Sequence, residues 1–190
     1  MKHLKTDGVE TARDDPRSEE FELLFQEHWA RVYRLLRRLV GDPAEAEDLA
    51  LETFLRLYRQ PPDRQDGLNL GGWLYRVATN LGLHSIRSWK RRDHYEINAG
   101  KYEIENTAGA SPAEIQARAE EHRTVRQALA RMNKRQSQIL ILRHSGLTYK
   151  EIAKTMDLSA TSIGPLLVRA EREFEKQYRA LAQEDSWPNT

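Results

Sequence analysis

Apolar residues recur along this chain at helical spacing, and no stretch alternates convincingly as a strand would. Phe21, Leu24, Phe25, Val32, Leu35, Leu36 and Leu39, with His28 among them, fall three and four apart on one stripe of an amphipathic helix. Ser18 is its expected N-cap and Gly41 its stop. Asp42-Pro43-Ala44-Glu45 then offers a cap, a proline at the first helical position and a capping-box carboxylate, which predicts a second helix to about Gln60, where "PPD" breaks it. A third helix is expected to begin near Asn69 to Trp73 and to run through "WLYRVATNLGLHSIRSWKRR". "INAGKYEIENTAGA" reads as a linker, after which Ser111-Pro112-Ala113-Glu114 repeats the cap, proline and carboxylate device. Val125, Leu129, Ile139, Leu142, Leu147, Ile152, Met156, Leu158, Ile163, Leu167 and Phe174 supply a second core.

The pattern predicts an all-α protein of two small helical domains joined by a flexible linker, the C-terminal one containing a helix-turn-helix. The expected division is a polar, aperiodic tail over 1–18, a helical domain over 19–95, a linker over 96–111 and a second domain over 112–184. Composition agrees: among 190 residues the charged ones make up 31% against 39% hydrophobic, which suits two small cores. The absence of cysteine excludes disulfides and thiolate zinc sites. No apolar run approaches a membrane span, and the N-terminus lacks the apolar core of a signal peptide, so the expected protein is soluble and cytoplasmic. Net charge is only +1, and an argument for nucleic acid must rest on where the charges sit. Acid gathers in "DPAEAED", base in "SIRSWKRRDHY".

The sharpest local pattern is "LTYKEIAKTMDLSATSIGPLLVRA". Thr148 can cap a short helix through Met156, Asp157 can take the left-handed turn, and Ser159 can cap the next helix. Ala153 is small enough for two steeply crossed helices to meet, which favours a helix-turn-helix over an ordinary helical hairpin. Gly164 and Pro165 are unusual so early in such a second helix. A proline deep in a helix costs ~3 kcal/mol, so the expectation is a late start capped by Ser162, with Thr161, Ser162 and Arg169 left to meet DNA.

Two other helices have two faces. On the third, Leu74, Val77, Ala78 and Leu81 share one side, and Arg76, Asn80, Leu83, Arg87, Lys90 and Arg91 gather opposite. With Trp73 beside them they offer phosphate contacts, an amide for base edges and a stacking platform; a solvated basic helix with a core tryptophan fits these residues equally. On the second, Ala46, Leu49, Ala50, Thr53 and Leu57 make a core stripe, while Asp48, Leu51, Glu52, Leu55 and Arg59 line the other side. Leucines among charges on an outward face suit a docked partner, or else a third neighbour within the bundle. Catalysis finds little support. The six histidines have no metal-ligand spacing, Glu45, Asp48 and Glu52 have no Glu-x-x-His companion, and no phosphate loop or nucleophile–base pair is present. No catalytic residue, metal or cofactor is expected.

In their order, these segments resemble a bacterial RNA polymerase sigma factor of the extracytoplasmic-function (ECF) class of the sigma-70 family, over about residues 20–95 and 112–178. "AEDLALETFLRLYR" is similar to the family's segment that docks on the polymerase clamp helices, and "GGWLYRVATNLGLHSIRSWKRR" to its promoter-melting segment. "ALARMNKRQSQILILRHSGLTYKEIAKTMDLSATSIGPLLVRAERE" is similar to the domain that reads the upstream promoter element. The resemblance implies a non-enzymatic specificity subunit with core RNA polymerase and promoter DNA as partners, room for an anti-sigma partner, and a pocket for a flipped base in "PPDRQDGLNLGG". It departs from the family at Leu51, where glutamine is usual, at His84, where aspartate is common, and at Gly164, Pro165 and Leu166, where the recognition helix is usually basic or polar. A helix-turn-helix regulator acting on duplex DNA without polymerase is the second reading.

Overall fold

A computed structural model describes residues 16–62, 69–92 and 111–186, without the side chains of 16–17, 89–92 and 184–186. Among the described residues seven helices and no strand form: α1 (Pro16–Val40), α2 (Pro43–Arg59), α3 (Leu70–Arg92), α4 (Pro112–Arg131), α5 (Lys134–His144), α6 (Tyr149–Met156) and α7 (Ala160–Ser186). Most of the expected tail, the 63–68 part of the loop and the linker up to residue 110 lie outside the described residues.

Caps set most of the boundaries. α1 is described from Pro16, so the chain is already helical at the expected cap Ser18. It stops at Gly41, whose φ of 88° a side chain would strain. Asp42 accepts from the Glu45 amide at 2.8 Å, as expected. The Glu45 carboxylate does not close a capping box; it accepts a hydrogen bond from Ser85 Oγ on α3 instead. Asn69 caps α3 through the Gly72 amide at 3.0 Å. Ser111 and Thr148 each form a complete capping box, with Glu114 and Glu151.

The Thr148 box bears directly on the helix-turn-helix. Thr148 N and Oγ1 both donate to Glu151 Oε2 at 2.7 Å, and these bonds hold the carboxyl below its ordinary value of 4.5. A depressed carboxylate stabilises the fold above its unfolded pKa, and the contribution disappears as pH falls through the folded one. Thr148→Ala should cost about 1 kcal/mol in urea unfolding at neutral pH. The smaller margin of wild type over Glu151→Gln should close in acid.

In the first group of helices, Val32, Leu36 and Leu39 of α1 meet Ala46, Ala50 and Phe54 of α2 and Leu74 and Ala78 of α3, all buried. Each large apolar side chain so buried is worth about 1.5–3 kcal/mol. In the second, Leu129, Ile139, Leu142, Ile152, Ile163 and Leu167 close around the buried Ala153 and Ala170. Ser137 sits inside this core because its hydroxyl reaches the Leu129 carbonyl at 2.9 Å. The two cores meet along α3, which packs on α1 and α2 and also on α4, α5 and α6, so that buried residues of both halves form one cluster.

That position of α3 corrects the expected division of its faces. Leu83, grouped by spacing with the cations, is only 1% exposed, whereas Val77 and Leu81 from the supposed core stripe are half-buried. A helix flanked on two sides has no single solvent face, and a simple two-face pattern misplaces residues on it.

Candidate functional site

The outward side of α2 is an open apolar groove. Leu51 and Leu55 are 49% and 38% exposed, and no other described element covers them. Phe21 and Phe25 of α1 and Phe54 and Tyr58 of α2 complete the groove. Asp48 and Glu52 form its rim, and Glu52 accepts from Arg56 Nε at 2.8 Å one turn along. Arg59 is exposed at the C-terminal end of the same helix. Phe21 meets Tyr58 edge-on at 5.4 Å between ring centres, and Phe25 stacks on Trp29 at 4.9 Å, so the floor is held by rigid aromatic contacts. The periodicity of α1 marks Phe21 and Phe25 only as core; Tyr58, three residues after Leu55 and seven after Leu51, falls on the same outward side of α2 at helical spacing, which the grouping of Asp48, Leu51, Glu52, Leu55 and Arg59 left out.

A second surface lies on α3. Trp73 is half-buried and packs against the core, Arg76 is exposed, and Asn80 and Arg87 are half-buried. Lys90 and Arg91 stand on the last turn, where side chains lie outside the described ones. The C-terminal helices occupy much of this face. Gln138 Nε2 of α5 donates to Asn80 Oδ1, Arg87 donates to the Met132 carbonyl at 3.1 Å, and Arg76 reaches the Thr155 carbonyl at 3.4 Å. At the start of α3 the approach is closer still, since a Cβ on Gly72 would lie 2.5 Å from the buried Thr155 Oγ1. Neither a solvated basic helix nor an open DNA surface describes this face in the packed chain.

The third surface is the helix-turn-helix. Asp157 takes the left-handed conformation with φ 55°, and the Leu158 amide donates back to Ala153 at 2.8 Å, which turns the chain from α6 into α7. α7 starts at Ala160, so the expected late start capped by Ser162 is wrong. Ser162 lies within the first turn, its amide donating to the Ser159 carbonyl at 3.0 Å. Pro165 is tolerated as the sixth residue because the carbonyl it leaves without a helical partner belongs to Thr161, exposed in that first turn where water can reach it. Nor does packing demand Gly164, where a Cβ would make only an ordinary contact, 3.8 Å from Tyr149. Thr161 and Arg169 are exposed, Ser162 is half-buried, and Val168 is 46% exposed between them.

The Sigma-70 region 2 family model matches residues 24–92, covering the groove and α3, and the Sigma-70 region 4 model matches residues 122–174, covering the helix-turn-helix. The chain belongs to the sigma-70 family. Among its relatives, the ECF RNA polymerase sigma factor SigE of Mycolicibacterium smegmatis is 29% identical over 80% of this chain and 58% of that protein's length. The ECF RNA polymerase sigma factor SigW of Bacillus subtilis is 26% identical over 80% of this chain and 84% of its own. The fold is similar to that of the sigma factor RpoE solved in complex with the anti-sigma factor NepR from Bartonella quintana, with a TM-score of 0.53 and 17% identity over 85% of this chain and 98% of that one. This is therefore a sigma factor of the ECF class, with a role in promoter-directed transcription initiation. These matches do not favour a regulator that acts on duplex DNA without polymerase.

Proposed function

We propose that this sigma factor docks core RNA polymerase through the α2 groove, with Leu51 and Leu55 as apolar anchors and Asp48, Glu52 and Arg59 as the polar rim. The exposed leucines carry this assignment, because an uncovered apolar strip between charges is the expected form of a partner site. It supplies no catalytic group of its own; its work is recognition and strand opening.

Promoter opening then falls to α3. Trp73 offers a platform for an unstacked base, Asn80 an amide for its edge, and Arg76, Arg87, Lys90 and Arg91 the phosphate contacts. In the packed chain Asn80 and Arg87 are engaged by the C-terminal helices, so this surface becomes available when the halves part. Residues 19–95 and 112–184 would thus act as separate domains on the polymerase, with the intervening segment as tether. An anti-sigma partner would act by keeping them from separating.

The upstream element is assigned to the start of α7. Thr161 and Ser162 stand at a helix N-terminus suited to a phosphate, with Arg169 about two and a half turns further along α7, and the scarcity of long polar side chains at the start favours readout of DNA shape over base edges. The exposed Tyr149 and Val168 support a second reading, in which this face meets a protein. Upstream scanning mutagenesis separates the two: transcription indifferent to every upstream base and to Arg169→Ala would leave only the protein contact. For the function as a whole, co-purification with core polymerase is the test. A stable stoichiometric complex is expected, and its absence would remove the docking assignment.

A further inference from the structure

Where the two halves meet there is a cavity of about 350 Å³, within the range of small-molecule sites, and its lining is strongly cationic. Arg31, Arg34 and Arg38 stand at i, i+3 and i+7 on α1 and turn toward it from one face. Buried Leu35 and Tyr75 line the same side, and Leu147 of the turn between α5 and α6 lines the cavity with Glu151 of α6. We propose that this seam cavity binds a small phosphorylated ligand through the three arginines, and that the bound ligand holds the two helical halves together.

Charge favours a phosphate. Among the described residues neither Arg34 nor Arg38 has a carboxylate within ion-pair distance, and Arg34 commits its Nε to the Ala30 carbonyl at 3.1 Å. The one carboxylate in the lining, Glu151, spends Oε2 on the Thr148 box. Three guanidinium charges against one carboxylate leave +2, which matches a phosphate dianion, and guanidinium forks are suited to its oxygens. Tyr75 adds a phenol hydrogen-bonded to Arg31. Burial raises its pKa while Arg31 opposes the rise, so the hydroxyl stays protonated near neutrality and can donate. The cavity is a cleft open to solvent on one side, and its volume of about 350 Å³ suits a small ligand.

The site is complete only when the α5–α6 turn and the start of α6 lie against α1 and α3. A ligand that requires the closed arrangement stabilises it by mass action, and closure engages Asn80 and Arg87. The consequence is negative control of a sigma factor by a phosphorylated metabolite; this last step rests on the assignment of α3 to promoter opening, whereas the binding site does not.

Pyrophosphate is a suitable probe, titrated calorimetrically into the full chain. Because the chain has no cysteine, Glu47→Cys and Lys176→Cys at exposed positions allow a dye pair to report the separation of the halves. Saturable binding, a shift toward the high-transfer state, and at least about a tenfold loss of affinity in Arg34→Gln/Arg38→Gln are expected. Binding that is absent, or equal in the double variant, overturns the proposal whether or not the chain works as a sigma factor. A short DNA duplex that binds through the same arginines, while pyrophosphate produces no compaction, would also overturn it and assign them to DNA.

Discussion

Replacing Leu51 and Leu55 together by aspartate is expected to lower the affinity for core polymerase by about 3 kcal/mol or more, over a hundredfold, because both lie at the centre of an apolar groove that docking would desolvate. The free protein should stay folded. Both side chains are already half in water, and substitutions at such positions usually change stability by no more than about 0.5 kcal/mol. A competition assay against an unmodified sigma factor reads the first effect and thermal unfolding the second. Undiminished affinity in a folded variant would contradict the docking assignment; an unfolded variant would mean that the leucines serve the bundle.

The second large effect is expected from Asn80→Ala combined with Arg87→Ala. In the packed chain these side chains bond to Gln138 and to the Met132 carbonyl, so their removal should loosen the seam and raise hydrogen exchange where α3 meets α4 and α5. On the polymerase the same change removes an amide and a cation from the proposed melting face. Open-complex formation should fall by about tenfold or more on duplex promoter, since a good side-chain contact to a base edge is worth about 1–3 kcal/mol. A template with a pre-opened bubble should suffer much less. Permanganate reactivity of promoter thymines gives the readout, and an unaltered pattern would exclude this face from melting. The loosened seam and the impaired melting are separable, because only the first appears without polymerase.

Much of the fold is legible in the sequence because local chemistry decides it. Asp42, Ser111 and Thr148 cap the helices their spacing indicates, and Asp157 takes the left-handed turn expected of it. What spacing cannot reveal depends on residues distant in the chain. Glu45 looks like half of a capping box until Ser85, forty residues on, takes its carboxylate. Leu83 looks outward by spacing, yet it is buried on a helix that both groups of helices pack against. The start of α7 is misplaced by spacing for a different reason. The full penalty of an interior proline does not apply to Pro165, because the carbonyl it strands belongs to an exposed first turn.

The candidate surfaces divide in the same way. Leu51 and Leu55 are legible as outward leucines within one helix, and Tyr58 shares their spacing, but Phe21 and Phe25 join the groove only once α1 lies beside α2. The cations of α3 are legible as a cluster, yet their engagement by α4, α5 and α6 is a contact between halves that no single-helix pattern encodes.

Transcription reconstituted from purified core polymerase, this chain and a library of genomic promoter fragments tests the central claim most directly. Transcripts should start at a restricted set of promoters, appear only when the chain is added, and vanish with Leu51→Asp/Leu55→Asp. No chain-dependent transcript, together with sequence-specific binding of duplex DNA by the chain alone, would contradict the account.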